Sequence, residues 1–331
     1  EPVFREEALP GAIVTRVAAS HLRVGTFQYF AARRNHEALR TLCDFTIQRH
    51  DPDLAAEPAG EERYIALLDR VIERQLGLVV EWMRVGFIHG VMNTDNAAIS
   101  GETIDYGPCA MMSSYDPGTV FSSIDRDGRY AFGNQPMITM WNLARLAECL
   151  VPLIDSDPQA AMDRLNPLLE GMRGRFERSW LQMMGRKLGL PEPRPDDAQL
   201  VSSLLEQMRQ QRLDYTLLFQ RLGRSLSSED LGAELDRDLD GWHGRWRGRL
   251  ADQAAGLEQA AELMQQHNPV VIPRNHHVEA VITRCYESLD PAPAQRLLQV
   301  LRSPYKELPL TEAFQDPPAH GDRGYQTFCG T

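Results

Sequence analysis

Cysteine is scarce in this chain, and its five cysteines lie far apart. Their number is odd, and they include no C-x-x-C pair. Disulfide frameworks and zinc sites usually require even, closely spaced sets of cysteines, so neither is indicated. The pattern is typical of a reducing compartment, and we expect a cytoplasmic protein.

The chain also lacks an excess of basic residues and a long apolar run. It carries 35 Lys and Arg against 46 Asp and Glu, a net charge of −11 at pH 7. Nonspecific nucleic-acid binding needs basic residues that displace phosphate counterions, so we expect no nucleic-acid partner. No apolar run approaches the roughly 20 residues that cross a bilayer, so we expect no membrane partner. The chain begins with Glu1 rather than Met, and we expect a processed or truncated protein.

Helical periodicity dominates the 331 residues that are present. We predict a strand over residues 12–18, a helix from about His21 to His50 with Ser20 as N-cap, and an amphipathic helix over residues 61–85. From Pro136 onward the pattern is mostly helical, and the tail from Pro317 reads as a surface strap. The fold class is therefore mainly α with a small β-hairpin, divided into residues 1–154 and 155–331.

The hairpin is predicted between two motifs. Residues 97–100 and 103–106 read as short strands joined by Gly101-Glu102. A long irregular loop is expected to follow, from Asp105 to Arg129. The hairpin would bring Asn96, before its first strand, close to Asp105, near the end of its second.

The segment from His89 to Asn96 has the layout of a protein-kinase catalytic loop. In kinases, H-R-D-x-x-x-x-N places a proton acceptor two residues after the His and a metal-binding Asn seven after it. Here Val91 occupies the acceptor position, and valine cannot accept a proton. The following Asp105-x-Gly107 is the kind of carboxylate that holds nucleotide-bound Mg²⁺. The pattern predicts metal–ATP binding without the usual route of phosphoryl transfer.

Asp95, Asn96 and Asp105 form the predicted central constellation. Carboxylate and amide oxygens are hard ligands that suit Mg²⁺. We predict Asn96 and Asp105 as metal ligands and Asp95 as a second acid beside them. Either segment alone is better explained as an ordinary turn. Their order, with a helix before them and the hairpin between them, favours the site.

Arg16 and Arg23 are the predicted phosphate-binding residues. Arg16 falls in the predicted strand and Arg23 in the first turn of the following helix, where a guanidinium opposes the helix dipole. Two arginines that converge there would bind a polyphosphate. The alternative is that both are ordinary surface charges.

These residues belong to a set of motifs that resembles the selenoprotein O, or YdiU, family. The motifs run in one order along the chain: Thr15 to Phe27, His89 to Asn96, Thr103 to Pro108, Gly128 to Tyr130, Gln135-Pro136 with Trp141 to Leu143, Ile272 to His276, and Thr327 to Thr331. The resemblance implies a protein kinase-like C-lobe with a C-terminal helical extension, which transfers AMP from ATP to protein Ser, Thr or Tyr hydroxyls with Mg²⁺ or Mn²⁺. It implies Asp95 as proton acceptor, Asn96 and Asp105 as metal ligands, and Arg16 and Arg23 as phosphate contacts.

The chain departs from that family in two ways. The family's N-terminal lobe, with its Gly-rich segment, phosphate-binding Lys and partner Glu, is absent, so we expect it in cis or on another chain and expect the isolated chain to be inactive. Some members oxidise a loop thiol against a C-terminal cysteine; Cys329 is present, but Phe121 occupies the loop position, although Cys109 lies nearby. A eukaryotic member would be expected in mitochondria.

Two other functions stay open. One is a kinase in which Asp95 replaces the missing base. The other is a nucleotide-binding pseudokinase, which docks partners without catalysis.

Overall fold

The fold is mainly helical. The computed structural model describes residues 2–4, 8–58, 60–254 and 256–328. The helices are α1 (Val24–Ala32), α2 (His36–His50), α3 (Pro52–Ala55), α4 (Glu61–Val85), α5 (Gln135–Ile154), α6 (Pro158–Lys187), α7 (Asp197–Gln211), α8 (Tyr215–Ser225), α9 (Glu229–Asp238), α10 (Trp242–Ala251), α11 (Leu257–His267), α12 (Asn275–Ser288) and α13 (Ala292–Leu301). The strands are β1 (Pro2–Phe4), β2 (Ala8–Pro10), β3 (Phe87–Ile88) and β4 (Ala110–Met111).

Two large hydrophobic cores organise the helices in the described part of the chain, and a small third cluster contains Val79, Trp82 and Met92. The first lies between α1, α2, α4, α5 and the N-terminal half of α6, and includes Phe27, Leu68 and Leu150. The second lies between α7, α8, α10, α11 and the C-terminal half of α6, and includes Trp242 and Trp246. Since α6 contributes to both cores, they do not by themselves define a boundary, and the division at residue 154 stays a prediction.

Helix α4 has the bounds that the sequence predicts. Its apolar residues recur every three or four positions, so that one face is buried against α5 and α6. The helix ends where Gly86 adopts φ of +77°, a conformation that glycine enters without steric cost. Strand β3 starts at the next residue, so the end of α4 fixes where the segment from His89 begins.

The predicted hairpin over residues 97–106 is wrong. Residues 97–99 pair with residues 22–24, at the start of α1. The Val24 N–H donates to the Ala97 carbonyl at 3.0 Å, and the Ile99 N–H donates to the Leu22 carbonyl at 2.9 Å. Residues 103–106 have no regular structure. The small antiparallel sheet instead joins β3 to β4, which flank the whole segment. A second two-stranded sheet joins β1 to β2.

The predicted strand over residues 12–18 is also wrong. These residues have no regular structure, and Ile13 and Val17 are almost fully exposed. A strand needs a neighbour for its backbone groups, and none of the described strands pairs with this segment.

The predicted helix from His21 to His50 is two helices. The chain breaks between α1 and α2, where Arg34 has a positive φ of 52°. Ser20 does not cap α1; its hydroxyl lies 2.8 Å from Nε2 of His50, and Arg23 is the N-cap residue. The helix end at His50 is as predicted.

The described part of the tail, from Pro317 to Phe328, has no helix or strand and contacts the long loop after Asp105. The Asp322 carboxylate accepts hydrogen bonds from the backbone N–H groups of Ser113 and Ser114, at 2.6 and 3.2 Å. The Thr327 N–H donates to the carbonyl of Phe121 at 2.8 Å. The tail therefore binds the long loop that follows Asp105. Cys329 lies outside the described residues.

One helical stretch, Phe132–Ile154, is long and apolar enough to cross a membrane by length and composition alone, and half of its window is buried. Helix α5 forms most of this stretch. It packs against α1, α4 and α6. That packing is typical of a buried core helix, and core helices also meet the length and composition criterion for a membrane span.

Candidate active site

The candidate site lies in the loop between β3 and β4, at the N-terminal end of α1. A single 3₁₀ turn, Thr94–Asn96, carries both Asp95 and Asn96. The Asn96 side-chain amide donates from Nδ2 to the Val91 carbonyl at 2.9 Å, which fixes its orientation. Asp95 is exposed, whereas Val91 is 7% exposed and packs inward. Of these two side chains, only Asp95 is open to a substrate.

His89 connects this turn to the segment before Asp105. The imidazole is fully buried. Its Nδ1 accepts the Val91 N–H at 3.3 Å, so the ring proton is on Nε2, which donates to the Ile104 carbonyl at 2.8 Å. Burial lowers the pKa of His89 and keeps the ring neutral. His89 therefore acts structurally, by bonding the backbone of both segments near the site.

Gln135 supports the same histidine from the start of α5. Its buried side chain accepts the His89 N–H at 3.0 Å and donates to the Phe87 carbonyl at 3.0 Å. The sequence alone does not predict this role for Gln135. A buried glutamine in the first turn of an apolar helix was the available signal, because it must find partners for its amide.

Asp105 sits in a tight turn. Its φ of +59° is uncommon for a residue other than glycine, although aspartate tolerates it better than most. Its Oδ1 accepts the Gly107 N–H at 3.3 Å. Two residues earlier, the Thr103 hydroxyl accepts the Trp82 indole N–H at 2.8 Å. Helix α4 and His89 thus hold the approach to Asp105 from one side.

The tail holds the other side of the Asp105 loop. The Thr327 hydroxyl donates to the Pro108 carbonyl at 2.7 Å. Behind Pro108 lies Gly90, with φ of +83°, and a Cβ added there would lie 2.6 Å from the Pro108 oxygen. Gly90 is therefore required both by its backbone conformation and by the close approach of the Pro108 carbonyl.

Arg16 and Arg23 line one cavity of about 390 Å³, together with Val14, His21 and Ile104. Ile104 directly precedes Asp105, so the cavity adjoins that loop. Arg23 is positioned by its bridge to Ala98, two residues after Asn96. Its Nε is buried and has no hydrogen-bond partner among the described residues. An unpaired buried guanidinium nitrogen fits an anionic ligand, because such donors are normally paired.

A divalent cation is compatible with the residues present. The Asn96 hydrogen bond uses only Nδ2, so Oδ1 remains available for a hard cation, and Asp105 supplies a carboxylate. No cluster of three His, Cys, Asp or Glu side chains that could hold a metal occurs within the described residues. Mg²⁺ usually binds one or two protein groups plus phosphates and waters, so this sparse set suits a nucleotide-bound ion.

Cys109, four residues after Asp105, is poorly suited to redox chemistry. Its Sγ donates to the Tyr106 carbonyl at 3.2 Å, and burial raises its pKa to about 11. A thiol with a raised pKa is a weak nucleophile at neutral pH.

The chain matches known proteins along most of its length. Residues 1–302 match the family model described as protein adenylyltransferase SelO. The chain is 51% identical over 331 residues to a protein named protein nucleotidyltransferase YdiU from Teredinibacter turnerae. It is 52% identical over 336 residues to a protein of the same name from Cereibacter sphaeroides. Each match covers 100% of this chain and 68% of the relative.

Proposed function

The chain belongs to the SelO family of nucleotidyltransferases, and we propose that it transfers AMP from ATP to Ser, Thr or Tyr hydroxyls of proteins. The main supporting observation is the cavity that Arg16 and Arg23 share with Ile104. Ile104 directly precedes Asp105, and Arg23 is bridged to Ala98, two residues after Asn96. Its volume of about 390 Å³ is within the usual range for small-ligand sites.

In the proposed reaction, the acceptor hydroxyl attacks the α-phosphorus of ATP, a new P–O bond forms, and pyrophosphate leaves. Asp95 takes the hydroxyl proton, because it is the exposed carboxylate in the turn and Val91 is buried. Arg16 and Arg23 bind phosphate oxygens and stabilise their charge. Asn96 and Asp105 would hold Mg²⁺ or Mn²⁺, which neutralises phosphate charge when bound.

We further propose that an N-terminal lobe, in cis or on another chain, completes the nucleotide site. The chain contains only two lysines, Lys187 and Lys306. Lys187 is buried and donates to the Arg84 carbonyl at 2.9 Å, and Lys306 lines a different cavity. Neither lines the cavity of Arg16 and Arg23. A phosphate-binding lysine would therefore come from outside these 331 residues. We propose a cytoplasmic location.

The test uses full-length protein with ATP labelled at the α- or the γ-phosphate, and Mg²⁺ or Mn²⁺. We expect protein-bound label from the α-phosphate only. Asp95→Asn should lower the rate by about 10²–10⁴-fold, the usual contribution of a general base. The exposed loop carboxylate Asp127 gives the matched control, Asp127→Asn, with wild-type rate. Label from the γ-phosphate would support a kinase, and no label would support a non-catalytic nucleotide-binding protein.

A further inference from the structure

Gly25 lies in the first turn of α1, directly against the turn that carries Asp95. Two backbone contacts fix the register of these segments. The Val24 N–H donates to the Ala97 carbonyl at 3.0 Å, and Arg23 forms an antiparallel bridge with Ala98. Gly25 is therefore held opposite Asp95 by the pairing on its N-terminal side.

The Asp95 carboxylate occupies the space that a side chain at position 25 would fill. A Cβ built on Gly25 would overlap Asp95 Oδ1 outright, and would lie 3.0 Å from its Cγ and 3.4 Å from its Cα. The backbone of Gly25 is helical and has no positive φ. Any residue could adopt that conformation, and glycine is among the poorest helix formers. The contact with Asp95 is thus the steric feature that requires glycine.

We propose that Gly25 is a positioning residue for the transfer, whose bare Cα forms the seat of the Asp95 carboxylate. The seat fixes the direction from which the carboxylate meets the acceptor hydroxyl. It lies at the N-terminal end of a helix, where a negative charge is favoured. This inference rests on the proposed function in that Asp95 is taken as the proton acceptor. A methyl group at position 25 would push the carboxylate off the seat while leaving Asp95 in the chain.

The kinetic test compares Gly25→Ala, Asp95→Ala, the double variant and Gly77→Ala in the full-length protein. Gly77 is an exposed glycine in α4 with no atom within 4 Å of an added Cβ, so Gly77→Ala should keep the wild-type rate. Gly25→Ala should lower kcat roughly 10- to 100-fold, because a small misplacement of a catalytic group is that costly. KM for ATP should change by less than about twofold, because the phosphate contacts stay in place.

The double variant distinguishes positioning from a general structural effect. If Gly25 acts through Asp95, adding Gly25→Ala to Asp95→Ala should slow the reaction no further. The proposal would be overturned if kcat of the double variant fell by the product of the two single-variant losses. It would also be overturned if Gly25→Ala kept the wild-type kcat.

A second measurement needs no activity. Gly25→Ala should lower the Tm when Asp95 is present, because the methyl group and the carboxylate collide. In the Asp95→Ala background the same change should raise the Tm, because the collision is gone and alanine is the better helix former. A similar fall in both backgrounds would overturn the proposal. If the wild type transferred no AMP, the proposed function would fail, and the Tm reversal would still decide whether Gly25 seats Asp95.

Discussion

His89 donates from Nε2 to the carbonyl of Ile104 at 2.8 Å, and thereby joins the two sequence motifs of the candidate site. One motif ends in Asn96, whose side-chain amide donates a hydrogen bond to the Val91 carbonyl. The Val91 N–H in turn donates to Nδ1 of His89. The other runs from Thr103 to Pro108 and includes Ile104 and Asp105. A buried imidazole therefore replaces the backbone pairing that the sequence predicts between these segments.

We predict that His89→Gln lowers the free energy of unfolding by about 1–3 kcal/mol at pH 7.5, because buried hydrogen-bonding groups lose their partner. The loss should shrink as the pH falls. Burial lowers the pKa of folded His89 below its unfolded value of 6.5, so the unfolded state binds the proton first. The contribution of neutral His89 to the free energy of unfolding is therefore fully present above pH 6.5. It is lost as the pH falls through the pKa of folded His89.

Urea unfolding at several pH values between 5 and 7.5 measures this effect. The exposed histidine of α2 gives the matched control, His36→Gln, which should differ little from the wild type at every pH. The difference in the free energy of unfolding between the wild type and His89→Gln should shrink as the pH falls. A difference that stays constant, or grows, would contradict the assignment of a neutral buried ring.

The second prediction concerns Asn96 and Asp105 as ligands of one cation. Asn96→Ala and Asp105→Ala should each weaken Mn²⁺-dependent ATP binding by about tenfold or more, or ~1.4 kcal/mol. Binding in EDTA should change little. Because both residues would hold the same ion, their effects should not add in the double variant.

Isothermal titration of the full-length protein with ATP, in MnCl₂ and in EDTA, provides the measurement. Asn93→Ala is the control, since Asn93 is exposed in the same loop. Full Mn²⁺ dependence in both single variants would exclude the two residues as ligands.

The sequence predicted helices with more success than short strands, and the reason is the range of the contacts. Helix α4 is determined by apolar residues three and four positions apart, all within one window, and its bounds were predicted correctly. Residues 97–99 instead pair with Leu22–Val24, more than 70 positions away. A local pattern cannot show that choice, and Gly101-Glu102 therefore gave a false hairpin.

The candidate site residues could be selected from the sequence, but the groups that hold them could not. The kinase-like spacing selects His89, Asn96 and Asp105 as candidates from the sequence alone. The seat at Gly25 and the bonds from Gln135 and Thr327 depend on which elements pack together. Each comes from a part of the chain distant from the motif that it supports.

The third prediction concerns phosphate binding by Arg23 and Arg16. Replacing either by Ala in the full-length protein should weaken ATP binding by about tenfold or more, because a hydrogen bond to a charged group contributes about 1.5–3 kcal/mol. Arg23 should have the larger effect, since its buried Nε has no partner among the described residues. Adenosine, which has no phosphates, should bind the variants and the wild type alike.

Competition titrations with ATP, ADP and adenosine measure these affinities. Arg126 is exposed in the loop after Asp105 and gives the control variant Arg126→Ala. This variant should bind ATP, ADP and adenosine as the wild type does. Equal losses for ATP and adenosine would indicate a disturbed fold and would count against direct phosphate contacts.

The last prediction is that the isolated 331-residue chain folds but transfers little or no AMP. Its helices bury two large cores, so its thermal unfolding should be cooperative. Its cavity has arginines and no lysine, and the relatives that it matches extend beyond it, since the matches cover 68% of their length. Transfer depends on positioning and on electrostatic stabilisation of the phosphates, which an incomplete site provides poorly.

We expect the isolated chain to incorporate α-label at less than about 1% of the full-length rate, a loss of roughly 10²-fold. Adding the proposed N-terminal lobe as a separate chain should restore part of the rate if that lobe completes the site. A folded isolated chain with the full-length rate would show that residues 1–331 already contain every group that the reaction needs.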